Sequence, residues 1–479
     1  MSGGLLVRGP DQESGTTPLL EQRSIEVIPE GERHGHVSSL FTIWSGSNLQ
    51  VLTVVTGALA VIAGLSLPLA IVAIVLGNLV GAVFMSLHAA QGPKLGMAQM
   101  IQSRGQFGFY GAILPMLIVV VMYMGFFFSV QVLAGEALAS MIGVSVTVGI
   151  ILASVVAYLL ATVGYNIIHY FERTTTVISG LLFVWLTVNA ITSSGHHSFA
   201  PTESVLGLFL LAFFLAATYQ LSYAPYISDY SRYLPTSTSV RAAFAWTYAG
   251  TLSSGIWLMV LGAVLAAKAG AAIGSNPVGY FAGEVPGGVA SWLVAIVFVV
   301  GLLGANVLNL YGPYITGTTI ADTVRPVRVR ARGRALIVLG FTVVGTLMAI
   351  FGAGSFLTDY SNFLALLLYF IIPWTAVNLL DFYVVRREKY DIKSLFAPGG
   401  IYGGVGWHAM AAYLGAIVLE IPFMNTTFYE GPGAKMLGGG DVTWIVGLLV
   451  AGVIYWVLSR GLMAAESRKL GELQDSADA

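Results

Sequence analysis

Apolar residues run along this chain in blocks too long for a soluble fold, and polar residues gather between them. A helix needs about 20 apolar residues to cross the hydrocarbon core of a bilayer. Twelve stretches meet that need, with loose ends: 39–63, 66–90, 111–139, 143–164, 174–193, 205–228, 241–268, 288–321, 336–354, 358–384, 406–424 and 441–459. The blocks are continuous rather than alternating. They predict an all-α membrane protein, not a β-barrel, whose strands alternate over about 10 residues. Residues 1–38 mix both charges with Gly, Pro and Ser and hold no apolar run. That composition predicts a disordered cytosolic tail and no cleaved signal.

Two spans are interrupted. The first carries Trp44-Ser45-Gly46-Ser47-Asn48-Leu49-Gln50, and the sixth carries Thr218-Tyr219-Gln220-Leu221-Ser222-Tyr223-Ala224-Pro225-Tyr226. Pro225 removes a backbone donor and clashes with the preceding turn, so the helix should kink or open there. Backbone groups freed at membrane depth must line a cavity or lie buried in protein. The interruptions are five spans apart, and broken helices at matching positions of two inverted repeats place a substrate site between them. The connections 91–110 and 269–287 match in the same way, being Gly-rich and of similar length. The predicted organisation is two five-helix repeats, 39–193 and 205–384, two accessory helices over 406–459, and a cytosolic tail from 460 to 479. Small and polar residues also serve close helix packing, which is the competing reading of each cluster taken alone.

Composition agrees. Of 479 residues 56% are hydrophobic and 9% charged, against about 25% charged in soluble proteins. With a cytosolic N-terminus, every one of the 22 Lys and Arg residues except Lys268 and Lys435 falls on the inner side, as the positive-inside rule asks. The formal net charge of −1 excludes a polyanion binder, so no nucleic-acid partner is expected. Zero cysteines exclude disulfides and thiolate metal sites. No H-E-x-x-H spacing, nucleophile–base pairing or phosphate loop is present, so no enzyme, metal or cofactor is implied. A channel would need a continuous polar lining, whereas the polar residues here converge at mid-membrane.

Within the eighth span, Asn306 and Asn309 share one helix face. Buried amides need partners. A planar heterocycle could supply them, and so could an interhelical amide pair. The third span offers Tyr123, Phe126-Phe127-Phe128, Ser129, Gln131 and Glu136, and one ring facing the cavity could stack on a flat ligand.

Two long segments carry a resemblance. Gly92-Pro93-Lys94-Leu95-Gly96 with Gln102-Ser103-Arg104-Gly105-Gln106-Phe107-Gly108, and Ser222-Tyr223-Ala224-Pro225-Tyr226-Ile227-Ser228-Asp229-Tyr230-Ser231-Arg232-Tyr233-Leu234-Pro235, resemble the nucleobase:cation symporter family, purine–cytosine permease branch. Shorter matches are Asn48-Leu49, Tyr165-Asn166 with His169 and Glu172-Arg173, and Asn306 to Tyr311. The resemblance implies a LeuT-like fold of five plus five inverted helices plus two, and co-transport of a heterocyclic base with a cation in the cell membrane. It implies a base held between Phe126 and Tyr223, both where the family usually has Trp. Amides Asn306 and Asn309 would read the base, together with Asn48, Gln220 and Ser222 near the breaks. The third-helix amide position is Val130, with Gln131 beside it. The smaller rings keep allantoin, hydantoin, thiamine, a pyridoxine-like vitamin or a nucleoside open as substrates.

Sodium-coupled members use hydroxyls of the eighth helix just before the amide. Here Val299-Val300-Gly301-Leu302-Leu303-Gly304-Ala305 has none, and a hard cation wants several oxygen ligands. Proton coupling is therefore expected over sodium. Intramembrane ionisable residues are functional suspects, which makes His88, Glu136 and Asp229 the candidate carriers. Asp229 with Arg232 also reads as a structural pair at the inner gate, and His88 as an interfacial residue.

Overall fold

The computed structural model describes residues 26–469 except 164, 193–197, 271, 286–287, 326 and 328–330. Inside helices, the side chains of 163–175, 274 and 331 are also outside the description, and with them those of Tyr165, Asn166, His169, Glu172 and Arg173.

The chain opens with α1 (Ser39–Ser47) and α2 (Val51–Ile62), which bend by 57° where they meet. Gln50 is extended there, which no helix can continue through. Next come α3 (Leu67–His88), the short α4 (Gln91–Leu95) and α5 (Gln99–Phe107), then α6 (Ile113–Ile142), α7 (Val146–Val163) and α8 (Tyr165–Thr192). The second set runs α9 (Val205–Leu221), a tight turn at Ala224–Tyr226, α10 (Ile227–Ser231) and α11 (Val240–Ala269). The short α12 (Ala272–Ser275) and α13 (Pro277–Gly283) precede α14 (Gly288–Val324), α15 (Ala331–Gly352) and α16 (Phe356–Leu380). The chain ends with α17 (Ile392–Leu395), α18 (Trp407–Glu420), the hairpin β1 (Asn425–Thr426) and β2 (Tyr429–Glu430), α19 (Pro432–Met436) and α20 (Thr443–Leu458).

The two connections matched from sequence each fold into a pair of short helices, α4–α5 and α12–α13. At Pro225 the helix tightens rather than opens. Ser222 N donates to Thr218 O at 2.8 Å and Tyr226 N to Tyr223 O at 3.2 Å, so few backbone groups are released.

Among the described residues six helical stretches are long and apolar enough to cross a membrane, or eight with each bent pair taken as one. By that measure the expected twelve is not reached. One stretch, Arg332–Val385, has 54 residues, roughly 80 Å of helix against a core of about 30 Å. It contains both α15 and α16, joined by the turn Ala353–Ser355. Val146–Thr162, Thr176–Thr192 and Trp407–Phe423 are shorter apolar helices. Ile191, Val188, Phe351 and Leu449 stand exposed on outward faces, an arrangement that water opposes and hydrocarbon accepts.

Close helix crossings fix the bundle. A β-carbon on Gly57 would overlap the Met259 backbone, and one on Gly262 would overlap the Val54 carbonyl, so α2 and α11 touch almost backbone to backbone. Gly57→Val is expected to cost well over the roughly 1–3 kcal/mol of ordinary overpacking, because backbone cannot yield as a side chain does. Thermal unfolding of the detergent-solubilised protein should shift down sharply or show no folded species.

Residues 26–38, expected to be disordered, are docked against α4 and the chain that follows α10. Ile28 is buried and its N–H donates to Gly96 O at 2.8 Å. Arg33 donates to Pro93 O at 2.8 Å and Thr236 Oγ1 at 2.9 Å, and His34 N to Tyr233 O at 2.6 Å. Backbone carbonyls hold this strap, and composition does not register them. At the other terminus, Arg386 is buried between Asp381 and Glu466, which satisfies charges that would be costly alone.

Candidate functional site

The sixth span presents four tyrosines, Tyr219, Tyr223, Tyr226 and Tyr230, stepping by four, three and four residues. That spacing lays them along one helix face. Each meets the next edge-on or nearly so, with centroids 5.8, 5.9 and 6.5 Å apart. Trp44 of α1 covers the stripe, contacting Tyr223 at 5.6 Å and Tyr230 at 5.5 Å.

The stripe is tied to the break in the first helix. Tyr223 hydroxyl donates to Ser47 O at 3.2 Å. Tyr219 hydroxyl receives Gln50 Nε2 at 3.0 Å and shares a 2.7 Å hydrogen bond with Thr53. Carbonyls released where α1 ends are thus met by side chains, Ser47 O by Tyr223 and Gln50, and Asn48 O by Thr53, as backbone at membrane depth requires. Tyr219→Phe removes the two bonds of the Tyr219 hydroxyl at about 0.5–1.5 kcal/mol each. The expected result is a several-fold drop in initial transport rate at unchanged membrane abundance, read from uptake and immunoblot together.

Opposite stands α6. Phe126 is half-buried and meets Tyr219 at 6.4 Å and Phe363 at 5.1 Å, both edge-on. Its neighbours turn away: Phe127 lies over Gly345 and Phe128 over Gly352. Phe126 and Tyr223 therefore both border Tyr219 edge-on. One turn along α6, Tyr123 meets Tyr226 at 5.6 Å.

A chain of amides enters from α14. Asn309 donates to Asn306 Oδ1 at 3.3 Å, Asn306 to Gln131 Oε1 at 2.6 Å, and Gln131 to Ile150 O at 2.8 Å. Asn306 and Gln131 are fully buried, and Asn309 is the half-buried end.

Three residues expected near the ligand make hydrogen bonds within the protein. Asn48 Nδ2 donates to the carbonyl and hydroxyl of Thr251, each at 3.0 Å. Gln220 donates to Asn78 Oδ1 at 2.6 Å and accepts from Thr251. Ser222 donates back to Tyr219 O at 2.7 Å. Asn48 and Gln220 thus sit in an amide–hydroxyl network joining the first break to α3, α9 and α11.

A small cleft, with room for little more than a water molecule, is lined among others by Ile101, Tyr123, Pro225, Asp229, Thr316 and Thr319. Thr316 is seven residues past Asn309, on the same helix face.

The candidate carriers His88, Glu136 and Asp229 stand on three different helices, α3, α6 and α10. His88 ends α3, with Nδ1 against Phe84 O at 2.8 Å and its ring stacked 5.1 Å from Trp374. Asp229 Oδ1 accepts Gln99 N at 2.8 Å, and Arg232 lies 5.3 Å over Tyr233. Glu136 is further along α6, about 20 Å beyond Tyr123 by helical rise. Sequence reasoning missed Trp44, Tyr219 and Tyr226 as wall residues. For the two tyrosines, helical spacing in the sixth span was the available signal.

A broken first helix, an aromatic wall and a chain of buried amides define a secondary transporter, not an enzyme. Residues 27–447 match the family described as permease for cytosine/purines, uracil, thiamine, allantoin. The putative purine-cytosine permease YxlA of Bacillus subtilis is 42% identical over 92% of this chain and 96% of its own. Two structures of Mhp1 share the fold: an inward-facing form (TM-score 0.74, 19% identity, 95% of this chain and 98% of that one) and a closed form with bromovinylhydantoin bound (TM-score 0.71, 18% identity, 94% and 99%). The chain belongs to the cytosine/purine permease family, and its fold is LeuT-like.

Proposed function

We propose that this protein imports a purine or pyrimidine base by cation symport through alternating access, with protons favoured over sodium. The observation that carries the reading is the bond from Tyr223 to the Ser47 carbonyl at the helix break, with Phe126 against the neighbouring Tyr219 and a chain of buried amides on α6 and α14 that ends at Asn309. Flat rings and amides suit a flat ligand with donors and acceptors on its edge. Relatives named as purine-cytosine permeases and a structural relative holding a hydantoin support that chemistry. The absence of hydroxyls over residues 299–305 supports the proton.

The arrangement proposed with it has twelve crossings in repeats 39–193 and 205–384, with accessory helices over 406–459. It counts Arg332–Val385 as two crossings and takes each shorter apolar helix as one. Both termini are cytosolic and the membrane is the plasma membrane, in keeping with the basic inner segments.

The test is competition at the purified protein. Labelled cytosine, adenine, guanine and hypoxanthine are bound in turn and challenged with excess allantoin, hydantoin, thiamine, pyridoxine and nucleosides. The reading expects saturable binding of at least one base that none of the other compounds displaces as well as the base itself. Binding only of a vitamin, a nucleoside or allantoin would replace the base with that compound.

A further inference from the structure

The amide chain runs one way. Ile150 O is a backbone carbonyl and can only accept, so the amide end that Gln131 turns toward α7 must be its nitrogen, as observed at 2.8 Å. That leaves Gln131 Oε1 facing Asn306, which must answer with nitrogen, at 2.6 Å. Asn306 Oδ1 then faces Asn309, which must do the same, at 3.3 Å. Reversing Asn309 alone would set oxygen against oxygen. Reversing all three would set Gln131 Oε1 against Ile150 O in a buried place, where an unpaired or opposed acceptor is costly.

We propose that Gln131 and Asn306 are positioning residues that lock the side-chain amide of Asn309 in one orientation, and so decide which hydrogen-bonding edge of a heterocycle the site accepts. The inference rests on the nucleobase reading above. Neither positioning residue touches the ligand: both are fully buried, and only Asn309 is partly open. A free asparagine could turn either its oxygen or its nitrogen toward the ligand and so tolerate donor or acceptor. An asparagine held by a relay that starts at a main-chain carbonyl cannot. It rejects an isostere whose donor has become an acceptor. Val130, where the family's amide is expected, has no polar group to take part, so the relay begins one residue further on, at Gln131.

Two pairs of bases probe this directly. Adenine and hypoxanthine, and cytosine and uracil, keep their skeletons but exchange an exocyclic amino group for oxygen and a bare ring nitrogen for N–H. Each is titrated against a labelled base in cells expressing the wild type, Gln131→Met and Asn306→Leu. In the wild type, one member of at least one pair should compete about tenfold or more better than the other, the worth of one mismatched buried hydrogen bond. In Gln131→Met, where Asn306 and Asn309 can reverse together, that ratio should fall to within about threefold. Asn306→Leu should do the same by freeing Asn309 directly.

A purely structural role for the relay would lower the uptake of all four bases alike and leave the ratio untouched. An unchanged ratio in either variant that reaches the membrane overturns the proposal. A wild-type ratio within threefold for both pairs overturns it even if neither variant inserts. Failure of the wild type to bind any of the four is a different outcome: it removes the nucleobase reading, and with it the ligand this relay serves.

Discussion

Tyr223→Ala and Asn309→Ala should each abolish measurable accumulation of labelled base while the protein reaches the membrane at wild-type abundance. For Tyr223, stacking of a base on an aromatic face contributes about 1–3 kcal/mol, and the variant loses that face entirely. It also loses the bond to Ser47 O, leaving the carbonyl at the helix break without its tyrosine. For Asn309, the ligand loses its amide partner and Asn306 Oδ1 loses its donor, at about 1–3 kcal/mol for a buried group left unpaired. Either sum is roughly a ten- to hundredfold loss of apparent affinity, enough to empty the site at micromolar substrate. Asn48→Ala should weaken transport less. The Asn48 side chain is held by Thr251, so its removal loosens the break without removing a wall. Full uptake in Asn309→Ala would sink the proposed site.

Replacing external sodium with choline should leave the initial rate of uptake unchanged. Sodium needs several oxygens at fixed distance. The eighth-helix segment Val299–Ala305 offers only main-chain groups, already engaged in the interior of α14. The threonine hydroxyls at 53 and 56 on α2 face tyrosines: Thr53 bonds Tyr219 at 2.7 Å and Thr56 bonds Tyr360 at 2.7 Å. A large fall in rate with choline would show that a sodium site is built elsewhere in the bundle.

What the sequence made legible was whatever leaves a one-dimensional trace. The break at Ser47–Gln50 is a polar run inside an apolar block, and the paired loop helices α4–α5 and α12–α13 share length and glycine content. Partnerships between helices left no such trace. Asn48 and Gln220 have the residue types of a binding site, yet their partners Thr251 and Asn78 come from α11 and α3. Their roles depend on helix rotation, which hydropathy does not contain. The same limit hid the relay: Gln131 stands beside the expected amide position, and only the packing of α7 shows that Ile150 O directs it. The docked strap at 26–38 escaped for another reason. Its polar, glycine-containing composition is that of a disordered segment, while its anchors are the carbonyls of Pro93, Gly96 and Tyr233.

The central claim, a proton-driven importer of a nucleobase, is met most directly by uptake of labelled cytosine, adenine, guanine and hypoxanthine into cells lacking their own permeases, with and without a protonophore. Accumulation of at least one base above its external concentration, abolished by the protonophore and insensitive to sodium, is the expected result. No accumulation of any of the four by a chain shown to reach the membrane, or accumulation that the protonophore leaves intact, would contradict it.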